Sequence, residues 1–186
     1  MTDSSPVVAV VGCAAGGLEE LRPKLVQPLL AKGYRVAVTL TPVAGAWFRE
    51  SGEAERIADI TGLPVRSNPR LPTDASPHPT SDVVVVAPAT ANTVAKLALG
   101  IADNQALTAV NESMGVVPVI VFPRVNAAHA RHPAWQGHLA ALRGGGVHLV
   151  YGDEVWPLHE PRTRPGRELP WGSILVAVDR ALAAVR

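Results

Sequence analysis

A run of small polar residues directly after a buried strand is the part of this sequence best suited to chemistry. Four consecutive valines, Val83–Val86, precede Pro88 and predict a strand that is buried on both faces, as in a parallel sheet. Thr90, Asn92 and Thr93 then open a helix. Open α/β sheets bind ligands at such positions, because backbone N–H groups and the positive end of the helix dipole point into the crevice there. An ordinary helix cap explains Thr90 or Asn92 singly, but not the whole run.

A second loop of small residues, Gly12–Gly17, lies between the first predicted strand and the first predicted helix. Small residues at this place allow the backbone to approach a phosphate group. The glycine spacing is not that of a dinucleotide fingerprint, and the second strand ends in Thr39-Leu40-Thr41 rather than in an acid for a ribose hydroxyl. The loop also lacks the Lys-Ser/Thr ending of a P-loop. The pattern therefore favours a mononucleotide phosphate.

Strands and helices alternate along the chain, which predicts one α/β domain over residues 1–186. Its fold class is a doubly wound parallel sheet, Rossmann-like or flavodoxin-like, with helices on both faces. Residues 1–5 are expected to be a flexible terminus, and the proline-rich residues 151–170 a substrate flap rather than packed structure. The other predicted strands are Val7–Val11, Tyr34–Leu40, a weak Leu63–Val65, Pro118–Phe122 and Val147–Val150. The other predicted helices are Leu18–Ala31 with irregular first turns, Trp47–Ile60, Pro133–Leu142 and Pro170–Arg186, and Asn68–Thr80 is a predicted loop.

The composition excludes several classes of protein. The 186 residues are 47% hydrophobic and 18% charged, which is typical of a compact soluble protein. A net charge of +1 gives no reason to expect nucleic acid or an anionic membrane as a partner. No stretch approaches the ~20 apolar residues that span a bilayer, and the first residues do not resemble a signal peptide. The single Cys13 excludes an internal disulfide, so a cytoplasmic location is expected.

The segment from Pro88 to Asn104 resembles the flavin-binding segment of the homo-oligomeric flavin-containing cysteine decarboxylases. This family includes phosphopantothenoylcysteine decarboxylase and the lantibiotic peptidyl-cysteine decarboxylases. Its usual form is Pro-x-[Ser/Thr]-Ala-Asn-Thr, a helix and Gly-x-x-Asp-Asn, here Pro88–Thr93 followed by Gly100, Asp103 and Asn104. The resemblance implies FMN as the cofactor and a homotrimer or a multiple of trimers, since the family's flavin lies at a subunit boundary. The implied cofactor-binding residues are Gly12, Cys13 in place of the family's Ser, Ala14, Thr41, Trp47 (or Phe48), Thr90, Ala91, Asn92, Thr93, Asp103, Asn104 and Arg124.

A third segment, Phe122–Asn126, resembles the family's Pro-x-Met-Asn-x-x-Met-Trp substrate motif. The resemblance implies that the Asn126 amide holds the carboxylate of a small-molecule or peptide substrate that ends in cysteine. Arg124 stands where the family has a small residue, and it is either a solvated arginine or a clamp for a carboxylate or phosphate. In the flap, Gly166 and Arg167 match the lantibiotic branch and make Arg167 a further substrate-binding candidate. Pro123 and Asn126 match the motif, whereas Val125, His129 and Ala130 replace Met, Met and Trp.

The catalytic base is the main departure from the family. Asp74 occupies the position of the family's catalytic histidine, and the nearest histidine, His78, lies four residues later in a proline-rich loop. An imidazole is the better base at neutral pH, so His78 is the favoured catalytic residue and Asp74 the alternative. The flap also lacks the cysteine that completes turnover in the pantothenate branch.

Three functions therefore remain open. The first is an FMN-dependent decarboxylase, in which the family's chemistry has the flavin accept hydride from the thiol-bearing carbon before carbon dioxide leaves. The second is an FMN-binding protein that has lost this reaction and serves as a partner subunit or acts on another substrate. The third is a flavin prenyltransferase, whose arginine-rich signature is missing at Gln105–Ala109. No metal is expected, because His129, His132 and His138 have no supporting carboxylate or thiolate.

Overall fold

A five-stranded parallel sheet forms the centre of the molecule. The computed structural model describes residues 5–163 and 166–185, and its strand order is β2-β1-β3-β4-β5. Every neighbouring pair of strands is parallel, and helices cover both faces. The predicted fold class is confirmed. The strands are β1 Val7–Gly12, β2 Arg35–Leu40, β3 Val83–Ala89, β4 Val119–Pro123 and β5 His148–Leu149.

The first helical segment is irregular, as predicted. A short 3-10 turn, Leu18–Glu20, leads into a π-helical turn, Arg22–Val26, before regular α-helix begins. Pro23 and Pro28 explain this, because proline cannot donate the backbone hydrogen bond that a regular helix requires. The α-helices are α1 Gln27–Ala31, α2 Pro42–Glu50, α3 Glu53–Thr61, α4 Ala91–Ala98, α5 Gln105–Ser113, α6 Ala127–Ala130, α7 Trp135–Gly144 and α8 Trp171–Val185.

Two predicted elements are wrong and two helices were missed. The single helix predicted over Trp47–Ile60 is two helices, α2 and α3, separated at Gly52, whose φ of 71° ends a helical run. The predicted strand Leu63–Val65 is absent, and one isolated bridge joins Arg66 to Thr39 of β2. Pro64 has no N–H for a longer ladder. Helix α5, which Asn104 caps, and helix α6, which Asn126 caps, were not predicted from the sequence.

The four valines of β3 are buried on both faces, as expected. Val83 and Val85 pack in the core beneath α1 and α8, whereas Val84 and Val86 pack in the core beneath α4, α5 and α7. All four are no more than 2% exposed. At about 25 cal/mol per Å² of buried apolar surface, such strands supply much of the driving force for folding and hold β3 rigidly in place.

The sheet changes winding direction between β1 and β3. The chain passes from β1 to β2 on one side and from β3 to β4 on the other, so a crevice opens between the carboxyl ends of β1 and β3. The backbone N–H of Cys13 donates to the carbonyl of Pro88 (3.1 Å), which ties the two loops together. A side chain at Gly12 would have its Cβ 2.8 Å from a Leu40 methyl group and 2.9 Å from a Leu18 methyl group, so both leucines would have to shift to admit a larger residue.

Both ends of the predicted flap are anchored. Trp156 and Leu169 are each only 3% exposed, and Leu169 packs directly against Gly17 of the first loop. The expectation of an unpacked segment is therefore wrong at these ends, and its role as a substrate flap stays a prediction. Arg164 and Pro165 lie outside the described residues, as do residues 1–4 of the predicted flexible terminus and Arg186 of the last predicted helix. Within the described ranges, no helix is long and apolar enough to cross a membrane.

Candidate flavin site

A cavity of about 490 Å³ opens at the crevice between β1 and β3. Its volume lies within the range of about 300–1,000 Å³ that is usual for small-molecule sites. The first loop and the beginnings of α2, α4 and α5 form its walls. Most of the predicted cofactor-binding residues line it, namely Cys13, Ala14, Thr41, Trp47, Thr90, Asn92, Thr93, Asp103 and Asn104.

One end of the cavity is polar and faces the beginning of α4. The Thr90 hydroxyl caps this helix by accepting a hydrogen bond from the Thr93 N–H (3.2 Å). The N–H groups of Ala91 and Asn92 come before the first bond of the helical ladder, so they stay available to a ligand. Two hydroxyls, unpaired N–H groups and a helix dipole together suit a phosphate group.

Cys13 lies beneath this polar end. Its thiol accepts a hydrogen bond from the Thr93 hydroxyl (3.3 Å), and the residue is buried. Burial raises the pKa of the Cys13 thiol above its ordinary value, and the hydrogen bond from Thr93 opposes this only in part. The thiol is therefore held in its unreactive protonated form, which agrees with a packing role rather than a redox role.

The opposite wall of the cavity is apolar and belongs to α2. Val43 and Trp47 lie one helical turn apart and line the cavity, although they are 56% and 49% exposed. Phe48 is in the core, so Trp47 is the aromatic residue that faces the cavity. A flat apolar wall of this kind suits a planar ring system. Val43 was not predicted as a site residue, although its spacing of four from Trp47 on a helix could have indicated it.

Asp103 and Asn104 fix the turn between α4 and α5 at the rim. The Asn104 side chain accepts a hydrogen bond from the Leu107 N–H (3.1 Å) and donates one to Asp103 (3.0 Å). Lys96 forms an ion pair with Asp103, and its hydrogen bond lowers the pKa of that carboxyl. Lys96 was also missed. These contacts show that the Asp-Asn pair shapes the rim through its own local bonds.

A second cavity, of about 180 Å³, is lined by all three predicted substrate-binding residues, Arg124, Asn126 and Arg167. Asn126 caps α6 by accepting a hydrogen bond from the His129 N–H (3.0 Å), which leaves its Nδ2 as the group that can donate to a ligand. The guanidinium carbons of Arg124 and Arg167 lie 5.3 Å and 3.5 Å from the centre of the Trp156 ring, so both side chains make cation–π contacts with it. A Cβ at Gly16 would lie 3.4 Å from the Arg124 Nη2 atom, so Arg124 lies against the first loop. Arg124 thus contacts the first loop and lines the smaller cavity, not the larger one.

Comparison with known proteins identifies the family. The family model described as Flavoprotein matches residues 4–182. The chain belongs to the flavoprotein family. The structure of the FMN-dependent cysteine decarboxylase TvaF from thioviridamide biosynthesis is 25% identical, with a TM-score of 0.69 over 96% of this chain and 98% of that one.

Two curated relatives match this flavoprotein over part of their length. A cysteine/cysteine sulfinic acid decarboxylase from an unknown prokaryotic organism is 41% identical over 70 residues, which are 38% of this chain and 19% of that protein. The coenzyme A biosynthesis bifunctional protein CoaBC of Escherichia coli K12 is 29% identical over 94% of this chain and 42% of that protein. The chain therefore spans about a fifth of the first relative and two fifths of the second.

The two predicted catalytic residues of this flavoprotein lie apart from both cavities. His78 lines a third cavity, of about 240 Å³, and its Nε2 is 2.7 Å from the carbonyl oxygen of Pro64. Asp74 is exposed, and its carboxylate accepts a hydrogen bond from the Leu71 N–H (3.1 Å). Neither His78 nor Asp74 is among the described residues that line the 490 Å³ and 180 Å³ cavities. The structure of one chain does not bring them to the cofactor cavity.

His129, His132 and His138 are not arranged as metal ligands. His129 and His132 are exposed, and His138 is half-buried on α7. In residues 5–163 and 166–185, no group of three or more His, Cys, Asp or Glu side chains is arranged to hold a metal ion.

The environment of His78 predicts a pH effect on stability. Partial burial lowers its pKa below the ordinary 6.5, the bond to Pro64 opposes this, and the nearby Arg66 charge adds to the lowering. Since the unfolded chain binds the proton more readily, the free energy of unfolding should fall as the pH drops through about 6.5. Urea denaturation at pH 7.5 and 5.5 measures it. His78→Gln should lose less stability over this interval than wild type, and the exposed His148→Gln should behave like wild type. An unchanged pH dependence in His78→Gln would contradict the assignment.

Proposed function

We propose that this flavoprotein binds FMN and decarboxylates a substrate that ends in a cysteine carboxylate, either a peptide or a phosphopantothenoylcysteine-like molecule. The 490 Å³ cavity carries the proposal, because it joins a phosphate-type helix end to an aromatic wall at the winding change of the sheet. TvaF is named an FMN-dependent cysteine decarboxylase, and the 41% identical relative is named for decarboxylating cysteine or its sulfinic acid. These names support the reaction type.

The cavity residues fit FMN better than a dinucleotide. Thr90, Thr93 and the first N–H groups of α4 would hold the phosphate, and Val43 with Trp47 would cover the ring system. No acidic residue ends β2, where a dinucleotide's ribose would need one. FMN supplies, when bound, an acceptor for two electrons and a proton from the thiol-bearing carbon of the substrate.

Asn126 is the residue best placed to hold the leaving carboxylate. Its Nδ2 donates from the wall of the 180 Å³ cavity, and the amide oxygen is fixed by the bond from the His129 N–H. A neutral donor orients a carboxylate without stabilising its charge as strongly as a cation would. Trp156 and the neighbouring residues of the flap form the other walls of this cavity.

Asn92 gives a direct test of the cofactor site. Asn92→Asp would place a carboxylate beside the anionic phosphate, and repulsion across a partly solvated gap of a few ångströms should weaken FMN binding about tenfold or more. Titration of FMN into the apoprotein, followed by quenching of flavin fluorescence, measures the affinity. Asn92→Ala is the matched control without the charge and should bind more tightly than the aspartate variant. Equal affinity of Asn92→Asp and wild type would place Asn92 outside the phosphate site.

We expect a homotrimer or a multiple of trimers. Val43 and Trp47 expose apolar surface at the rim of the cavity, which a second copy of the chain would cover. His78 lies outside the cavity of its own chain, so the second copy would also supply this histidine. Light scattering of the FMN-loaded protein should give three times the 19.5 kDa of one chain, or a multiple of that mass. A monomer with FMN fully bound would contradict this expectation.

The position of His78 and Asp74 favours one second candidate, an FMN-binding protein without decarboxylase activity. Release of carbon dioxide from phosphopantothenoylcysteine and from peptides ending in cysteine separates the two. We expect release from at least one substrate, and His78→Ala to lose more activity than Asp74→Ala. FMN-loaded protein that neither releases carbon dioxide nor bleaches the flavin with either substrate would establish the second candidate instead.

A further inference from the structure

The Arg124 guanidinium has a hydrogen-bond donor that none of the described residues accepts. Its Nε atom is buried and, among the residues that the structure describes, has no hydrogen-bond partner. Its guanidinium faces the ring of Trp156, and it forms no ion pair with any described carboxylate. A buried donor without a partner is costly, so such a group is usually completed by a ligand or by water.

The cavity around Arg124 is positively charged. Arg162 and Arg167 line it too. The Arg167 guanidinium carbon lies 3.5 Å from the centre of the Trp156 ring, and its Nη1 donates to the Pro157 carbonyl (2.6 Å). One acid, Glu160, lines the cavity, but Arg131 pairs with it through both oxygens. At about 180 Å³ the cavity has room for a few water molecules or one compact oxyanion with its carbon neighbours.

The loss of charge during decarboxylation indicates which anionic group of the substrate would bind to the arginines of this cavity. A carboxylate that leaves as carbon dioxide loses its charge, so a tight guanidinium contact would stabilise the substrate more than the transition state and slow the reaction. Asn126 on the same cavity is neutral and suits the leaving group. The arginines therefore suit an anion that keeps its charge throughout.

We propose that Arg124, together with Trp156 and Arg167, forms a subsite for a second anionic group of the substrate, a phosphate or carboxylate that remains on the product. This inference rests on the proposed function, and it names the substrate class as a cysteine compound with two anionic groups. Arg124 supplies specificity for that second group, and Trp156 holds both guanidiniums in place through cation–π contacts.

Two matched pairs of substrates test the subsite with FMN-loaded protein. In the first pair, phosphopantothenoylcysteine is the charged member and pantothenoylcysteine the neutral one. In the second pair, a short peptide ending in Glu-Cys is the charged member and the same peptide ending in Gln-Cys the neutral one. Wild type should prefer the charged member of one pair by about 10–100-fold in kcat/KM, the usual range for a charge-assisted hydrogen bond in a partly buried site. Arg124→Gln should remove that preference and leave FMN affinity unchanged. Arg143→Gln, an exposed arginine on α7, should change neither.

A binding arm separates failure of this inference from failure of the proposed function. The analogues with serine in place of cysteine cannot react, and calorimetry measures their affinity without turnover. A preference for the charged analogue that Arg124→Gln removes would support the subsite even if no substrate is decarboxylated. Equal affinity for the charged and neutral members of both pairs would overturn it while leaving the decarboxylase proposal intact. Loss of FMN affinity in Arg124→Gln would also overturn it, because Arg124 would then serve the cofactor.

Discussion

Replacing Asn126 by aspartate is expected to abolish decarboxylation while the protein keeps its fold and its FMN. The new side chain retains an oxygen that can accept from the His129 N–H, so the cap of α6 survives. It loses the Nδ2 donor and places a negative charge against the substrate carboxylate. Loss of the hydrogen bond and gain of repulsion together should lower kcat/KM at least about 100-fold.

Two further variants isolate the cause. Asn126→Ala removes donor and cap together, so it should lose activity and also about 1 kcal/mol of stability. Asn68→Asp makes the same chemical change at an exposed position away from both cavities and should leave kcat/KM unchanged. Carbon dioxide release and flavin absorbance are measured on each. Activity of Asn126→Asp within a few-fold of wild type would show that Asn126 does not hold the carboxylate.

Trp156→Ala is expected to be the most destabilising of the single changes considered. The indole is 3% exposed, meets Phe122 edge to face at 5.4 Å and donates from Nε1 to the Val125 carbonyl (3.1 Å). Truncating a buried tryptophan to alanine typically costs about 3–5 kcal/mol. The free energy of unfolding, measured by urea denaturation, should fall by that amount, and the affinity for anionic substrate analogues should fall with it.

Trp156→Phe is the matched control. It keeps a ring against Phe122 and beneath the arginines but loses the indole hydrogen bond, so its cost should be about 1–2 kcal/mol. A loss below 1 kcal/mol in Trp156→Ala would show that the segment after residue 151 contributes little to the fold, contrary to the burial of Trp156 and Leu169.

The sheet and the polar end of the cofactor cavity could be predicted because their signals are local. The valines of β3 are apolar without alternation, which only a strand buried on both faces requires. Thr90 is a cap residue directly before the predicted helix, and it caps that helix in the structure. Local chemistry of this kind is present in the sequence whatever the rest of the chain does.

The remaining features depend on contacts between distant parts of the chain. The sequence around Arg124 does not show that Trp156 and Arg167 stack with it, because these residues lie far along the chain. The indole of Trp156 bonds to the carbonyl of Val125, next to Arg124, across a separation of 31 residues. The bond of His78 to the Pro64 carbonyl likewise spans 14 residues and holds the imidazole away from the predicted cofactor site. The division of α2 from α3 depends on a positive φ at Gly52, which the helical pattern around it concealed.

Titration of the purified apoprotein with FMN tests the central claim most directly. Flavin fluorescence should be quenched to an end point of one FMN per chain, with a visible spectrum shifted from that of free FMN, and FAD and NAD should not compete at equal concentration. Thr90→Val, which removes the hydroxyl that caps α4 at the polar end of the cavity, should weaken the binding. A protein that is colourless as purified and quenches no added FMN would contradict the assignment of the 490 Å³ cavity as a flavin site.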